Sequence, residues 1–286
     1  MKAIDLYQHG LQLLKEADVP DPEVDSSLLL GHLLGLSRTG LLLHEDGVAE
    51  ELIRRFDALL ERRLRREPLA YILGEQEFWS LPFYVTPAVL IPRPETELLI
   101  EIVLQTIQGE GITLEGASLL DMGTGSGVIP VVLARELPGS TIYSLDISQA
   151  AQQVARRNAE RHGVADRVFF ITSDWISALR PAPLFDLVVS NPPYVARESF
   201  ADLQPEVRDY EPRLALDGGH AGIEVIAGFA GGLAAIIKSG GRFFMEIGAE
   251  QGQLVMDLFS SLAEFDGLTV YEDYAGLPRI FHARRA

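Results

Sequence analysis

The segment Leu119-Leu120-Asp121-Met122-Gly123-Thr124-Gly125-Ser126-Gly127 decides the fold. A short apolar run closes on an acid, and glycines at alternate positions then lead into a helical pattern. That order is strand, tight turn, helix. A dinucleotide site built on such a turn wants G-x-G-x-x-G, with backbone drawn close to a pyrophosphate. Counted from Gly123, the third glycine would fall at a position that holds Val128. Asp121, two residues ahead of the first glycine, would repel a pyrophosphate. It suits a cationic ligand that carries an ammonium and a sulfonium, with Gly123, Thr124, Gly125, Ser126 and Gly127 offering bare backbone to the bulkier part.

The next two strand ends extend the same site. Asp146 closes Thr141–Asp146 and is placed to accept hydrogen bonds from both hydroxyls of a ribose, a role that dinucleotide folds also give to an acid. Ser173-Asp174-Trp175 follows Val168–Thr172, where Asp174 can meet an adenine amino group and Trp175 can cover the ring. Each feature alone has an ordinary structural explanation: a tight turn, a helix N-cap at Asp146, a core tryptophan. Three successive strand ends with chemically matched groups favour a ligand site.

Further outward, apolar runs at Asp186–Ser190 and Arg242–Ile247 continue the alternation with helices such as Ala150–Arg161. The pattern predicts an α/β fold, a doubly wound, mostly parallel seven-stranded sheet covered on both faces. Leu268–Tyr271 and Arg279–His282 are separated by too few residues for a crossover helix, so the last strand is expected to run antiparallel. The first third reads differently. Ile4, Leu11, Leu14 and residues 28–34 recur at helical spacing, with Asp25 and Ser26 as candidate N-caps, and 49–73 reads as one further helix. Its Arg54, Arg55, Arg62, Arg63, Arg65 and Arg66 are expected to form a solvated face balanced by Glu51, Asp57, Glu61 and Glu67. Residues 77–91 alternate as in a hairpin. Pro92-Arg93-Pro94 then introduces a helix over 95–108, where Glu95 and Glu97 suit the positive end. The expected organisation is a helical domain at 1–75 that recognises substrate, a β-hairpin linker at 76–92 and a ligand-binding catalytic domain at 93–286.

The chemistry is concentrated in Asn191-Pro192-Pro193-Tyr194, directly after the fourth strand of the sheet. Ligands bind at the carboxyl ends of such strands. Pro192 keeps Asn191 extended, Pro193 does the same for Pro192, and neither proline has an N–H. The outcome is a stiff loop with two acceptors, the Asn191 side-chain oxygen and the Pro192 carbonyl. Two fixed acceptors match a planar –NH2 group, whose lone pair is delocalised and must be coaxed out of conjugation. Tyr194 can stack on the flat face of that group. Such a site works by positioning and preorganised dipoles.

Composition narrows the class. With 286 residues the chain suits a small domain plus a larger one, and 47% hydrophobic residues suffice for a real core. The absence of cysteine removes disulfides, thiolate metal sites and cysteine nucleophiles and fits a reducing cytoplasm. The histidines show no paired metal-ligand spacing, and no metal is expected. The first ten residues do not read as a signal peptide, and no apolar stretch is long enough for a membrane span. A formal charge of −17 argues against gripping nucleic acid through its phosphates.

These residues resemble the class I methyltransferases with an N-P-P-Y motif, and more closely the release factor glutamine methyltransferases. The similarity to that family includes Ile91-Pro92-Arg93-Pro94-Glu95-Thr96-Glu97, Tyr71-Ile72-Leu73-Gly74 through Phe78, and Glu211-Pro212-Arg213-Leu214-Ala215-Leu216-Asp217-Gly218-Gly219, so it spans essentially the whole chain. The resemblance implies a Rossmann-like fold, S-adenosylmethionine as cofactor and S-adenosylhomocysteine as product. It implies N5-methylation of the glutamine in the Gly-Gly-Gln loop of peptide chain release factors, with the N-terminal domain contacting that partner. Residue by residue, Gly123–Gly127, Asp146, Trp175 and Asn191 then correspond to cofactor contacts, and Asn191–Tyr194 to the holder of the glutamine amide. Arg93, Glu95 and Glu97 either line the pocket or start the helix. A monomer in the cytoplasm is expected. Competing readings are a ribosomal-protein glutamine methyltransferase, an adenine-N6 nucleic-acid methyltransferase, a dinucleotide oxidoreductase and an idle cofactor-binding protein.

Overall fold

The computed structural model describes residues 1–44 and 46–286. The chain divides into two compact units: Met1–Glu75 with Gln204–Tyr210, and Gln76–Leu203 with Glu211–Ala286.

The first unit carries α1 (Ala3–Glu16), α2 (Pro22–Leu34), α3 (Arg38–Leu43), α4 (Glu50–Leu64) and α5 (Leu69–Leu73). Leu6, Leu14, Leu29, Leu30, Phe56 and Leu60 form its apolar core. One sequence expectation fails here and another holds only in part, for one reason. Asp25 and Ser26 are not N-caps: α2 begins earlier, at Pro22, and both residues lie buried inside it. Asp25 pairs with Arg63 at 2.5 Å, and the Ser26 hydroxyl donates to the Tyr7 carbonyl at 2.8 Å. The arginine face is likewise not wholly solvated. Arg63 is 5% exposed and also donates to Glu206 at 2.9 Å, while Arg66 holds the other oxygen of Glu206 at 2.8 Å. Charges are tolerated in such burial only when paired, and the pairing partners come from α2 and from the inserted segment 204–210. The helix expected over 49–73 breaks at Arg66, whose φ is +68°, before Pro68 opens α5.

The second unit opens with a hairpin, β1 (Glu75–Phe78, its first residue in the helical unit) and β2 (Leu81–Tyr84), then α6 (Pro94–Gly109). The main sheet follows: β3 (Ser118–Met122), α7 (Val128–Glu136), β4 (Thr141–Asp146), α8 (Gln149–Arg161), β5 (Val168–Thr172) and β6 (Phe185–Ser190). After the short α9 (Pro205–Tyr210) of the helical unit come α10 (Glu224–Leu233), β7 (Ile237–Glu246), α11 (Gly252–Ser260), β8 (Phe265–Glu272) and β9 (Pro278–Arg285). The strand order is β5-β4-β3-β6-β7-β9-β8, parallel from β5 to β7, with β9 antiparallel to both its neighbours. The doubly wound sheet with its antiparallel last strand is the fold the alternation predicts. Strands β3 and β6 are buried on both faces and read as nearly unbroken apolar runs.

The chain starts in the middle of this sheet, winds outward through β4 and β5, and returns to place β6 beside β3. That reversal is the topological switch point, where a crevice opens beyond the carboxyl ends of the strands. The glycine turn leaves β3 on one side of it and Asn191 leaves β6 on the other. The Ser190 hydroxyl bridges them, donating to the Met122 carbonyl at 2.8 Å.

Candidate active site

A cavity of about 220 Å³ lies at the switch point. Gly123, Thr124, Gly125, Ser126, Asp146, Asp174, Trp175, Asn191 and Pro193 all line it, together with Arg93 and Thr96 from the start of α6 and Pro212, Leu214 and Asp217 from the loop before α10. Asp121, Gly127, Pro192 and Tyr194 do not.

The floor of the cavity is backbone. Gly123 adopts φ +80°, and a Cβ there would sit 3.6 Å from the Asn191 carbonyl oxygen and 3.7 Å from the Trp175 ring. A side chain at this point would fill the gap between the two strand ends. Gly127 serves another purpose. At φ +83° its Cβ would come within 2.9 Å of Ala155, so this glycine lets α7 start against α8. Asp121 also acts behind the floor. It is fully buried, its Oδ2 accepts the Thr124 hydroxyl, and burial pushes its carboxyl up to about 7. It stabilises the turn and carries whatever charge it has just beneath the cavity.

Asp146 is held in place by the main chain. Gly125 N–H donates to Oδ2 and Ser148 N–H to Oδ1, each at 2.8 Å. It is not the helix cap: Ser148 caps α8, its hydroxyl accepting from Ala151 N–H at 3.1 Å. A carboxylate oxygen accepts more than one hydrogen bond, so both oxygens keep capacity for a ligand. Burial pushes this carboxyl above its ordinary value, and the two N–H donors pull it back. Trp175 takes φ +48° and packs its ring on Phe229 at 4.9 Å between centroids, so one side chain serves both core and cavity wall.

The opposite wall is set by side chains. Asn191 Nδ2 donates to the Thr96 hydroxyl at 2.9 Å, and that hydroxyl donates to Glu246 Oε2 at 2.7 Å. The Tyr194 hydroxyl donates to Glu246 Oε1 at 3.0 Å, which fixes the tyrosine ring. Gln251 Nε2 donates to the Tyr194 carbonyl at 2.9 Å and to the Gly222 carbonyl at 3.0 Å, clamping the exit of the tetrapeptide. Among the described residues no hydrogen bond reaches Asn191 Oδ1 or the Pro192 carbonyl. Of the two expected acceptors, Asn191 lines the cavity, whereas Pro192 is buried behind it.

The segment at the start of α6 has three separate duties. Arg93 lines the cavity and pairs with Glu211, which also accepts Ile91 N–H at 3.1 Å. Glu97 accepts Trp79 N–H at 2.7 Å and ties down the hairpin. Thr96 belongs to the tetrapeptide network. The sequence reading missed Glu246, Gln251 and the role of Thr96. Glu246 did leave a signal: an acid at the end of the apolar run Phe243-Phe244-Met245 repeats what Asp121 and Asp146 do on β3 and β4. Among the described residues no group of acids and histidines is placed to hold a metal ion, and no helix is long and apolar enough to cross a membrane.

The cavity suits a nucleoside carrying a positive charge. Asp146, an acid with free acceptor capacity, and the Trp175 indole line its walls, and the backbone at Gly123 forms its floor. The fold is shared with a methyltransferase from Pyrococcus furiosus, at TM-score 0.51, 16% identity, and coverage of 79% of this chain and 98% of that one. A 16S rRNA methyltransferase from T. thermophilus in complex with AdoMet and guanosine gives TM-score 0.52 and 19% identity, over 74% of this chain and 50% of its own. The fold is thus the one that class I methyltransferases share.

Residues 5–74 match the family described as PrmC N-terminal domain, and residues 95–206 match the methyltransferase small domain. A release factor glutamine methyltransferase of Moorella thermoacetica is 41% identical over 96% of this chain and 96% of its own length. That of Chlorobaculum tepidum is 39% identical, covering 96% and 95%. The chain belongs to the release factor glutamine methyltransferase family.

Proposed function

We propose that this enzyme methylates the side-chain amide nitrogen of a glutamine in peptide chain release factors, the glutamine of the Gly-Gly-Gln loop. The observation that carries the reading is the wall of the cavity at Asn191. Its Nδ2 donates to Thr96, which leaves its Oδ1 as an acceptor at the cavity wall, with the unbonded Pro192 carbonyl next to it in the chain. Likeness to the curated relatives along the whole chain supports the release factor as partner.

Asp146 would hold the ribose of the cofactor, Asp174 and Trp175 the adenine, and the backbone of Gly123–Gly125 the methionine part. Bound there, S-adenosylmethionine supplies a methyl group activated by a sulfonium. The chain's own contribution is placement. Asn191 Oδ1 and the Pro192 carbonyl each take one N–H of the glutamine amide. An amide nitrogen is a poor nucleophile while its lone pair is conjugated, and holding both hydrogens out of the amide plane frees that lone pair toward the cavity. Pro192 and Pro193 keep the loop stiff, so little reorganisation remains at the moment of reaction. Tyr194 anchors the far end of the loop through the hydrogen bond from its hydroxyl to Glu246. The helical unit contacts the release factor, and a single copy of the chain suffices for both tasks.

Isotope-labelled S-adenosylmethionine incubated with the enzyme and a release factor, a ribosomal protein or adenine-containing DNA tests this directly. Mass spectrometry should place the label on the Gly-Gly-Gln glutamine and lose it when that residue is replaced. Label on DNA or on the ribosomal protein alone would overturn the substrate.

A further inference from the structure

The amide of an asparagine is nearly symmetric in shape, so packing alone does not decide whether its oxygen or its nitrogen faces a neighbour. At Asn191 that choice is decisive. Presented oxygen-first, the side chain accepts an N–H of the substrate amide. Presented nitrogen-first, it sets donor against donor.

The atoms that settle the choice lie behind the cavity. Thr96 is 3% exposed and Glu246 is fully buried. Glu246 receives two hydroxyls, Thr96 on Oε2 at 2.7 Å and Tyr194 on Oε1 at 3.0 Å. Burial pushes its carboxyl above the ordinary range, these two donors pull it back, and in the ionised form they stabilise it can only accept. A threonine hydroxyl has one proton. Once that proton is given to Glu246, only lone pairs face Asn191, and Asn191 must answer with its Nδ2, at 2.9 Å. Direction is thus passed from the carboxylate through one hydroxyl to the amide. Reversing the amide would place its oxygen against the Thr96 lone pairs and would leave a buried N–H pointing into the cavity.

We propose that Thr96 and Glu246 are positioning residues that fix the polarity of the Asn191 amide, so that Oδ1 is always the atom offered to the methyl acceptor. This rests on the reading of Asn191 as an acceptor for the substrate amide. It also explains why a buried acid ends β7: the carboxylate is the fixed end of a directional chain, and its second oxygen sets Tyr194 by the same rule. Glu246, Thr96 and Asn191 come from β7, α6 and the end of β6, so one donor–acceptor sense is imposed across three elements of the fold.

The test pairs Thr96→Val with Thr96→Ser. Valine keeps the shape and removes the hydroxyl; serine restores it. In Thr96→Val we expect kcat for methylation of a release factor to fall by roughly tenfold or more, while the Kd for S-adenosylmethionine stays within about twofold. Thr96→Ser should recover most of the loss. A readout independent of turnover is the Asn191 side-chain amide, assigned in the asparagine-¹⁵N-labelled, ligand-free protein by its loss in Asn191→Asp. One of its protons should exchange slowly with solvent in the wild type and in Thr96→Ser, and quickly in Thr96→Val. Wild-type kcat and unaltered amide exchange in Thr96→Val would overturn the proposal, as would a serine variant no better than valine. A wild-type enzyme with the amide held as described, yet inert toward every release factor, would instead overturn the substrate reading and leave the directional chain supported.

Discussion

The two walls of the cavity are built in different ways. On the cofactor side, Asp146 is oriented by main-chain N–H groups, from Ser148 two residues on and from Gly125 twenty-one residues back. On the acceptor side, Asn191 is oriented by a side chain 95 residues away, which is in turn oriented by one 150 residues further along the chain. A wall made by main-chain groups comes into being once two successive strand–turn–helix units, β3–α7 and β4–α8, lie side by side. A wall made by a side-chain chain exists only when α6, β6 and β7 are all in place. The first can serve many enzymes that share a cofactor, whereas the second can be specialised for one kind of acceptor.

The sharpest way to separate the walls is Asn191→Ala, which removes a substrate acceptor and leaves the turn intact. Turnover should fall roughly 10²–10³-fold, the scale for losing one preorganised hydrogen-bonding group at a reacting centre. Cofactor affinity measured by calorimetry should barely change. Equal losses in both would erase the distinction. Asp146→Ala is the mirror experiment. It should weaken binding of S-adenosylmethionine by about 10- to 100-fold, the worth of hydrogen bonds to a charged group, with turnover at saturating cofactor much less affected. A variant that binds normally would remove Asp146 from the ribose position.

Gly127→Ala probes the support beneath the cofactor wall without touching its surface. The added methyl meets Ala155 at 2.9 Å in a left-handed backbone, so unfolding free energy should drop by about 1–3 kcal/mol. An unchanged denaturation midpoint would show that α7 and α8 can part at no cost. The smallest effect expected is the pH response of Asp121. Its folded-state carboxyl lies at about 7, above the ordinary carboxylate range. The stability it contributes is therefore complete below about pH 4 and is lost as pH rises through about 7. Asp121→Asn lacks this loss, so the melting temperature of the variant relative to wild type should climb by a few degrees between about pH 5 and pH 8. Parallel curves would mean that Asp121 is ionised throughout, its charge already compensated.

The same contrast runs through what could be read in advance. The helical unit misled in detail because its boundaries are set by burial. Asp25 resembles an N-cap by residue type, yet it sits inside α2 because Arg63, 38 residues on, needs a buried partner. The expected solvated arginine face holds at Arg54 and Arg65, which pair with Glu51 and Glu61. It gives way at Arg63 and Arg66 for the same reason, since Glu206 arrives from a segment 143 residues away. In the second unit the glycine turn and Asp146 could be read at once, because their geometry depends on residues close by. Of the glycine run, only the stretch through Ser126 reaches the cavity. Gly127 has the same composition signal but answers to a helix contact.

By itself the sequence determined the order of strands and helices, the glycine turn that leaves β3, the acid that ends β4, and a proline-stiffened tetrapeptide after β6. All of these follow from short-range constraints: side-chain periodicity, glycine's access to positive φ, and proline's fixed φ and missing N–H. Tertiary structure alone decided which of those groups face the cavity and which way Asn191 points. Those choices depend on hydrogen-bond partners that are far apart in the chain and meet only across the assembled sheet, where a buried carboxylate must find donors and so dictates the direction of every hydrogen bond that leads from it.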